Sequence, residues 1–267
     1  MPFREHLQEL RRRLRNAVIA LVLGCGVAYA YSQELFLLLA QPLLEAWQRR
    51  QAVDPSIGPP TFNFGSLIEP FWTYLSVSLW AGIFVASPFI FLQLWRFFAP
   101  GLYAKEKRYA IPFAAVSALF FCSGAAFCYV FVLPIAFDFF LSYSASNLAD
   151  MTSVLGSKYS LGADVKLTPT LFMEQYFDLT KRLLLGFGLV FELPLVIFFL
   201  SWLGLVTPRG LWKFNRWAIV LSFTVGAILT PGPDVASQLL MSIPLVVLYN
   251  LSILVALVVA RRKRRQP

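Results

Sequence analysis

The chain has 267 residues, of which 58% are hydrophobic and 14% are charged, and its formal net charge is +9. Because a soluble domain carries about 25% charged residues, this composition excludes an ordinary soluble protein and predicts an integral membrane protein. The positive charge does not indicate a nucleic-acid-binding protein, because it lies between long apolar runs, as membrane topology requires.

Six apolar runs predict an all-α, polytopic fold with six transmembrane helices, since about 20 helical residues cross the hydrocarbon core. In chain order the runs cover residues 17–40, 71–95, 110–133, 183–205, 217–229 and 236–260. The fifth run has only 13 residues, so we expect it to thin the membrane locally or to lean on neighbouring helices. Pro88, Pro194 and Pro244 lie inside runs and are expected to kink their helices.

The basic residues predict the orientation of these helices. The N-terminal segment contains five Lys or Arg, the loop after the second run four, the loop after the fourth run three and the C-terminal segment five, which is 17 of 23 in total. With six spans all four segments lie on one side, and the positive-inside rule places that side and both termini in the cytoplasm. Residues 1–267 are predicted to form a single membrane domain.

The basic start, the apolar run and the sequence AYA at 28–30 are also typical of a cleavable signal peptide. Apolar character resumes in LFLLLA (35–40), and cleavage would leave five spans with conflicting loop charges. We therefore expect this segment to remain as the first span. The outer connections cover 41–70, 134–180 and 230–235, and the 176–182 end of the longest one is expected to continue as helix into the fourth span.

No motif for covalent chemistry is present. The sequence contains no P-loop, no HExxH, no Ser-His-Asp arrangement and no Gly-rich dinucleotide turn. His6 is the only histidine, and the three cysteines match no zinc or redox spacing. We therefore predict no catalytic residue, no metal and no cofactor, and interpret the chain as a binding protein rather than an enzyme.

Two cytoplasmic segments each place an acid among basic residues. HLQELRRRLR (6–15) carries an apolar stripe at helical spacing, which predicts an amphipathic helix on the inner surface, with Glu9 beside the stripe. FFAPGLYAKEKR (97–108) turns after the second span and carries Glu106 between two lysines. Local ion pairs explain either acid alone, for Glu9 an i,i+4 pair with Arg13. Together the two acids predict a binding site for a cationic ligand. Arginine is preferred over lysine at such a site, because carboxylates bind guanidinium in bidentate geometry.

The fourth span, LLLGFGLVFELPLVIFFLSWLGL (183–205), contains one ionisable residue, Glu192, close to its middle. An ionised carboxylate in lipid costs roughly 2.5 kcal/mol or more, so this side chain is expected to face the protein, a wet cavity or a partner. Two interpretations stay open at this point. Glu192 is either a structural residue hydrogen-bonded within its own bundle or a polar anchor on a concave face.

Four segments in order resemble the TatC family, the receptor subunit of the twin-arginine protein translocase. They are HLQELRRRL, FFAPGLYAKEKR, FGLVFELPLVI and GAILTPGPDVASQLLMSIPLVVLY. The outer loop around 147–168 gives no clear match, which leaves its shape open. Asn250 stands where many members have an acid, which argues against a second carboxylate within the membrane.

The resemblance implies a cupped six-helix bundle with short last spans, in the bacterial cytoplasmic membrane with both termini inside. The family binds signal peptides that carry two consecutive arginines on proteins exported already folded. It works in a complex, as a homo-oligomer with single-span TatA and TatB partners, and the proton gradient drives export. The family's signal-binding acids match Glu9 and Glu106, and the loop that shapes the site matches Phe97, Pro100 and Leu102.

The resemblance also assigns roles within the membrane and on the outer side. Glu192, Thr230 and Gln238 match positions that contact a partner's span or line the groove that the signal enters. Pro42 and Asp234 are expected to shape the fold, and Asp234 is equally explained as a cap of the last span. Two alternatives are a secondary transporter, with Glu192 as proton or ion carrier, and an intramembrane enzyme. The sequence shows no internal repeat in support of the first and no catalytic constellation in support of the second.

Overall fold

A computed structural model describes residues 3–53, 58–98, 110–145, 170–230 and 235–264. Its elements in chain order are α1 (Phe3–Ala30), α2 (Ser32–Val53), β1 (Phe62–Asn63), α3 (Glu69–Phe98), α4 (Ala110–Phe127), a π-helical turn (Cys128–Val132), α5 (Leu133–Ala145), β2 (Leu171–Phe172), α6 (Met173–Phe191), α7 (Leu193–Leu203), α8 (Pro208–Leu229) and α9 (Val235–Arg264). Helices dominate, which confirms the predicted all-α fold. The strands β1 and β2 form a short parallel pair.

The polytopic membrane character is confirmed by the length and composition of the helices. Within the described residues, the stretches that are long and apolar enough to cross a membrane are Leu7–Ala30, Glu69–Phe97, Ala110–Ser142, Met173–Leu203 and Gln238–Arg261. Helix α8 is not among them, because Lys213 and Arg216 lie in its first half. The count of six spans and the cytoplasmic termini therefore stay predictions.

The boundaries predicted for the first span are wrong. Instead of one helix over 17–40, α1 runs from Phe3 to Ala30, and Tyr31 separates it from α2. The predicted amphipathic segment thus forms the first turns of α1 itself. The apolar sequence LFLLLA belongs to α2, which packs against α3 and α5. The polar residues Ser32, Gln33 and Glu34 follow Tyr31 directly, and they mark the helix boundary that the prediction did not place there.

Two later spans also differ from the prediction in length. The fourth span begins at Met173, which confirms the expected helical continuation from the outer loop, and it is interrupted at Glu192. Helix α8 begins nine residues before the predicted 217–229 run and has 22 residues in all. Thr207 caps it by accepting a hydrogen bond from the Gly210 N–H at 3.1 Å, with Pro208 in the first turn. The last spans are therefore not short helices as predicted, because α8 has 22 residues and α9 has 30. Only the apolar half of α8 is short.

Glycines allow close helix crossings in the centre of the bundle, as is common where small residues pack in membranes. Helices α4 and α6 approach at Gly124 and Gly188. A Cβ atom at Gly124 would lie 2.6 Å from the Phe187 carbonyl oxygen, and one at Gly188 would lie 2.8 Å from the Phe121 ring. This crossing sets the position of the last turn of α6, which leads into Glu192.

Replacing Gly124 with alanine is expected to destabilise the bundle. The new methyl group would overlap a backbone carbonyl that cannot rotate away, and overpacking of this kind costs about 1–3 kcal/mol. Gly26→Ala is the matched control, because a Cβ there has nothing within 4 Å. Thermal unfolding of the two purified variants in detergent should show a lower midpoint for Gly124→Ala and an unchanged or higher one for Gly26→Ala. Equal midpoints would contradict the close crossing.

One carboxylate joins the N-terminal ends of α3 and α6. Glu69 accepts a hydrogen bond from the Gly65 N–H at 2.7 Å and another from the Glu174 N–H at 3.1 Å. The β1–β2 pair lies beside this link, and Phe62 contacts Tyr176 and Phe177. The N-terminal ends of α3 and α6 are thereby held together.

Candidate functional site

The first turns of α1 place Glu9 beside α3. Its Oε1 atom lies 3.0 Å from Nη2 of Arg13, and Nη1 of Arg13 donates to Oε1 of Gln93 at 3.4 Å. The side chains of Arg13 and Glu9 are only 18% and 16% exposed. Gln93 stands one helical turn before Phe97, so Glu9 lies beside the end of α3 from which the second candidate segment continues.

The local ion pair expected for Glu9 is therefore present, and the carboxylate already binds a guanidinium group. An i,i+4 pair of this kind contributes only a few tenths of a kcal/mol. A second arginine that offers bidentate geometry can displace or share it at little cost. The Nε atom of Arg13 is buried and has no hydrogen-bond partner among the described residues, which shows that Arg13 itself is not fully satisfied in this position.

Of the other residues predicted for the signal site, the structure describes only Phe97. Phe97 lies in the last turn of α3 and is partly buried. Pro100, Leu102 and Glu106 lie outside the described residues, and so does Asp234. Their roles, including the proximity of Glu106 to Glu9, remain predictions.

Glu192 lies at the break between α6 and α7. Its N–H donates to the Leu189 carbonyl at 3.1 Å, and its carbonyl accepts from the Val196 N–H at 2.9 Å. Pro194 has no N–H and cannot continue the helical hydrogen bonding, which explains the break. The expectation that Pro194 disturbs this span is confirmed.

The Glu192 side chain faces the protein interior and is only 8% exposed. Its Oε1 atom is buried without a hydrogen-bond partner in the described part of the chain. A structural glutamate within a bundle should have both oxygens satisfied. The binding of a polar partner at Glu192 stays a prediction.

Two residues next to Glu192 were not predicted from the sequence. The indole N–H of Trp95 on α3 donates to the Ser117 hydroxyl at 2.8 Å, and both residues are buried. The available signals were a serine in the middle of an apolar run and a tryptophan close to Phe97. Neither signal identifies the partner, because the two residues lie 22 positions apart on different helices.

Thr230 and Gln238 take part in the packing of α8 against α9. The Gln238 amide donates to the Phe223 carbonyl at 3.0 Å, which joins the two helices directly. The Thr230 hydroxyl donates to the Ala227 carbonyl at 3.4 Å at the end of α8. These bonds give Thr230 and Gln238 a structural role. The docking of a partner's span at these two residues stays a prediction.

Pro42 lies buried inside α2 and alters its hydrogen bonding. Because proline has no N–H, the carbonyl of Leu38 lacks its usual helical donor. The Tyr129 hydroxyl, from the π-helical turn, donates to that carbonyl at 2.8 Å. The position of Pro42 thus leaves an acceptor that connects α2 to the π-helical turn, and its fold-shaping role stays a prediction.

The comparisons with known proteins agree with this arrangement. Residues 5–244 match the family model described as Sec-independent protein translocase protein (TatC). The Sec-independent protein translocase protein TatC of Desulforapulum autotrophicum is 40% identical over 98% of this chain and 86% of its own length. The protein of the same name from Aquifex aeolicus is 36% identical over 99% of this chain and 98% of its own. A crystal structure of the twin arginine translocase receptor TatC superposes with a TM-score of 0.76 at 36% identity, covering 96% of this chain and 99% of that one.

Proposed function

Because this chain belongs to the TatC family of Sec-independent protein translocase proteins, we propose that it is the receptor subunit that binds the Arg-Arg signal peptide of folded export substrates. Residues 1–267 would act as one membrane domain in the bacterial cytoplasmic membrane, with both termini in the cytoplasm. Single-span partner subunits would be recruited through the membrane-embedded part, around Glu192. The proton gradient would drive the export step.

The observation that carries this proposal is the guanidinium bound to Glu9. The Glu9 carboxylate is placed at the junction of α1 and α3, partly covered, and bonded to Arg13 at 3.0 Å. The surrounding segment contributes Arg11, Arg12 and Arg15. These charges repel a cationic ligand from the rest of the segment, so the Glu9 carboxylate is the place where it can bind. A signal arginine would displace Arg13 from the Glu9 carboxylate or bind the carboxylate together with Arg13. Glu106 would receive the second arginine.

A paired-peptide binding experiment tests the proposal. The full chain is reconstituted in nanodiscs, and fluorescent peptides with either Arg-Arg or Lys-Lys before an apolar run are titrated by anisotropy. Lysine loses the bidentate contacts, and a charged hydrogen bond contributes about 1.5–3 kcal/mol, so the Lys-Lys peptide should bind at least tenfold more weakly. Equal affinities for the two peptides would contradict the proposal.

The transporter alternative has one supporting observation, which is the helix break at a membrane carboxylate. Among the described residues, however, Glu192 is the only acid that is buried, and a proton relay usually needs further ionisable groups. The receptor function therefore has the stronger support. Glu192-dependent proton flux in liposomes that contain this chain alone would favour the transporter.

A further inference from the structure

We propose that the first half of α8 is a binding site for an anionic phospholipid, whose phosphate group is held by Arg209, Lys213 and Arg216. These three residues are called the basic stripe below. The stripe lies on a different helix from Glu9 and from the helix break at Glu192. The proposal goes beyond the proposed function and does not depend on it.

The three side chains of the basic stripe share one face of α8. They are four and three residues apart, and positions at these spacings are neighbours on a helix surface. All three are exposed. Helix α8 contains no Asp or Glu, and within the described residues none of the three forms an ion pair. Like charges at these spacings repel one another, so an anion bound between them would relieve the repulsion.

The opposite face of α8 packs against α9. The Tyr249 hydroxyl donates to the Leu211 carbonyl at 2.9 Å. Ala218 is buried in a cluster with Tyr249 and Ile253. Successive helical residues are about 100° apart, which places Leu211 and Ala218 on the side of α8 away from the basic stripe. The stripe therefore faces outwards from the bundle, where a lipid can reach it.

Two exposed tryptophans flank the basic stripe. Trp212 immediately precedes Lys213, Trp217 immediately follows Arg216, and the two lie on opposite sides of the stripe at about 100° per residue. Trp212 is 66% exposed and Trp217 is 55% exposed. The guanidinium carbon of Arg216 lies 5.9 Å from the centroid of the Trp217 ring. Exposed indole rings are typical of the headgroup level of a membrane, so the stripe is expected at the depth of lipid phosphates.

The surface that follows the basic stripe is apolar and exposed. Val220 stands four residues after Arg216 on the same face and is 54% exposed, and its neighbour Leu221 is 52% exposed. A phospholipid has the same order of chemistry, with a charged phosphate followed by acyl chains. An acidic segment of a soluble protein would match the charges but would leave the apolar part uncovered. The arrangement therefore favours a lipid, and basic clusters at membrane surfaces do attract anionic lipids.

Native mass spectrometry of the full chain in detergent tests the proposal. The chain is titrated with phosphatidylglycerol or with phosphatidylcholine of the same acyl chains, and the lipid-bound fraction is measured. The unmodified chain should bind phosphatidylglycerol at least tenfold more tightly. The triple variant Arg209→Gln, Lys213→Gln, Arg216→Gln should lose this preference, because each basic residue near a membrane surface contributes about fivefold. Arg216→Gln alone should lose about fivefold, which keeps the test valid if the triple variant does not fold.

Two matched variants separate a phosphate site from general electrostatics. Arg49→Gln, Arg50→Gln, Arg182→Gln removes the same charge from α2 and α6 and should keep the preference for phosphatidylglycerol. Arg209→Lys with Arg216→Lys retains the charges, and it should also keep the preference because lysine binds phosphate as a point charge.

Three results would overturn the proposal. The first is equal affinity of the unmodified chain for the two lipids. The second is an equal loss of preference in the α8 triple variant and in the triple variant of α2 and α6, which would show a general charge effect. The third is displacement of phosphatidylglycerol by an excess of inorganic phosphate, which would show an anion site without lipid recognition. None of these measurements uses a signal peptide, so the proposed function can stand or fail separately.

Discussion

Glu9→Gln is expected to weaken binding of an Arg-Arg signal peptide by at least tenfold. The amide keeps the shape of the side chain and one acceptor, but it loses the charge that a guanidinium group requires. Loss of a charged hydrogen bond costs about 1.5–3 kcal/mol, and about 1.4 kcal/mol corresponds to tenfold in affinity. Anisotropy titration of the labelled peptide against the reconstituted chain measures the effect.

A matched control exists on the opposite end of the bundle. Glu45 in α2 also has a partner one turn away, since its Oε1 atom accepts from the Gln41 amide at 2.9 Å. Glu45→Gln should leave signal-peptide affinity unchanged. The variant Glu9→Gln should also reduce the preference for Arg-Arg over Lys-Lys, because the bidentate acceptor has been removed. Wild-type affinity and preference in Glu9→Gln would exclude this residue from the signal site.

Glu192→Ala is expected to leave membrane insertion intact and to reduce export of a folded reporter at least tenfold. Removing a carboxyl group that already has an unsatisfied oxygen relieves a buried polar group, so the variant should insert and fold. Export should fail because the acceptor for a partner's polar group is gone. The assay follows a folded fluorescent reporter with an Arg-Arg signal in cells that supply the other translocase subunits and lack their own copy of this chain.

Glu174→Ala serves as the control for this experiment. Glu174 is an acid in the first turn of α6, on the same span but outside its centre. It should export normally, and immunoblots of membranes should show equal amounts of both variants. Normal export by Glu192→Ala would leave Glu192 with a structural role only.

The resting ion pair has a consequence for specificity. Because Arg13 occupies Glu9 at rest, a weakly bound cation gains little by replacing it. Only a group that matches the bidentate geometry of guanidinium improves on the resident contact. If Glu9 receives the signal peptide as proposed, lysine-bearing signals and other basic segments would be disfavoured because they lack this geometry.

The membrane class, most of the span positions and the candidate signal segments were determined by the sequence alone. Apolar length and basic-residue placement are local properties, and they can be read without knowing which helices touch. The family resemblance is likewise a property of ordered local segments. Helix starts such as the Thr207–Pro208 cap of α8 were also available from local signals, although the prediction placed that start nine residues too late.

The end of α1 at Ala30 also has a local signal, since the polar residues Ser32, Gln33 and Glu34 follow Tyr31. Only the tertiary structure decided which polar groups meet. The Leu38 carbonyl, which Pro42 leaves without its helical donor, accepts from Tyr129, and the Ser117 hydroxyl accepts from Trp95. These pairings join residues far apart in the chain. A buried polar group takes whichever partner the packing of the bundle brings within reach, so its partner is set by the arrangement of helices and not by its neighbours in sequence.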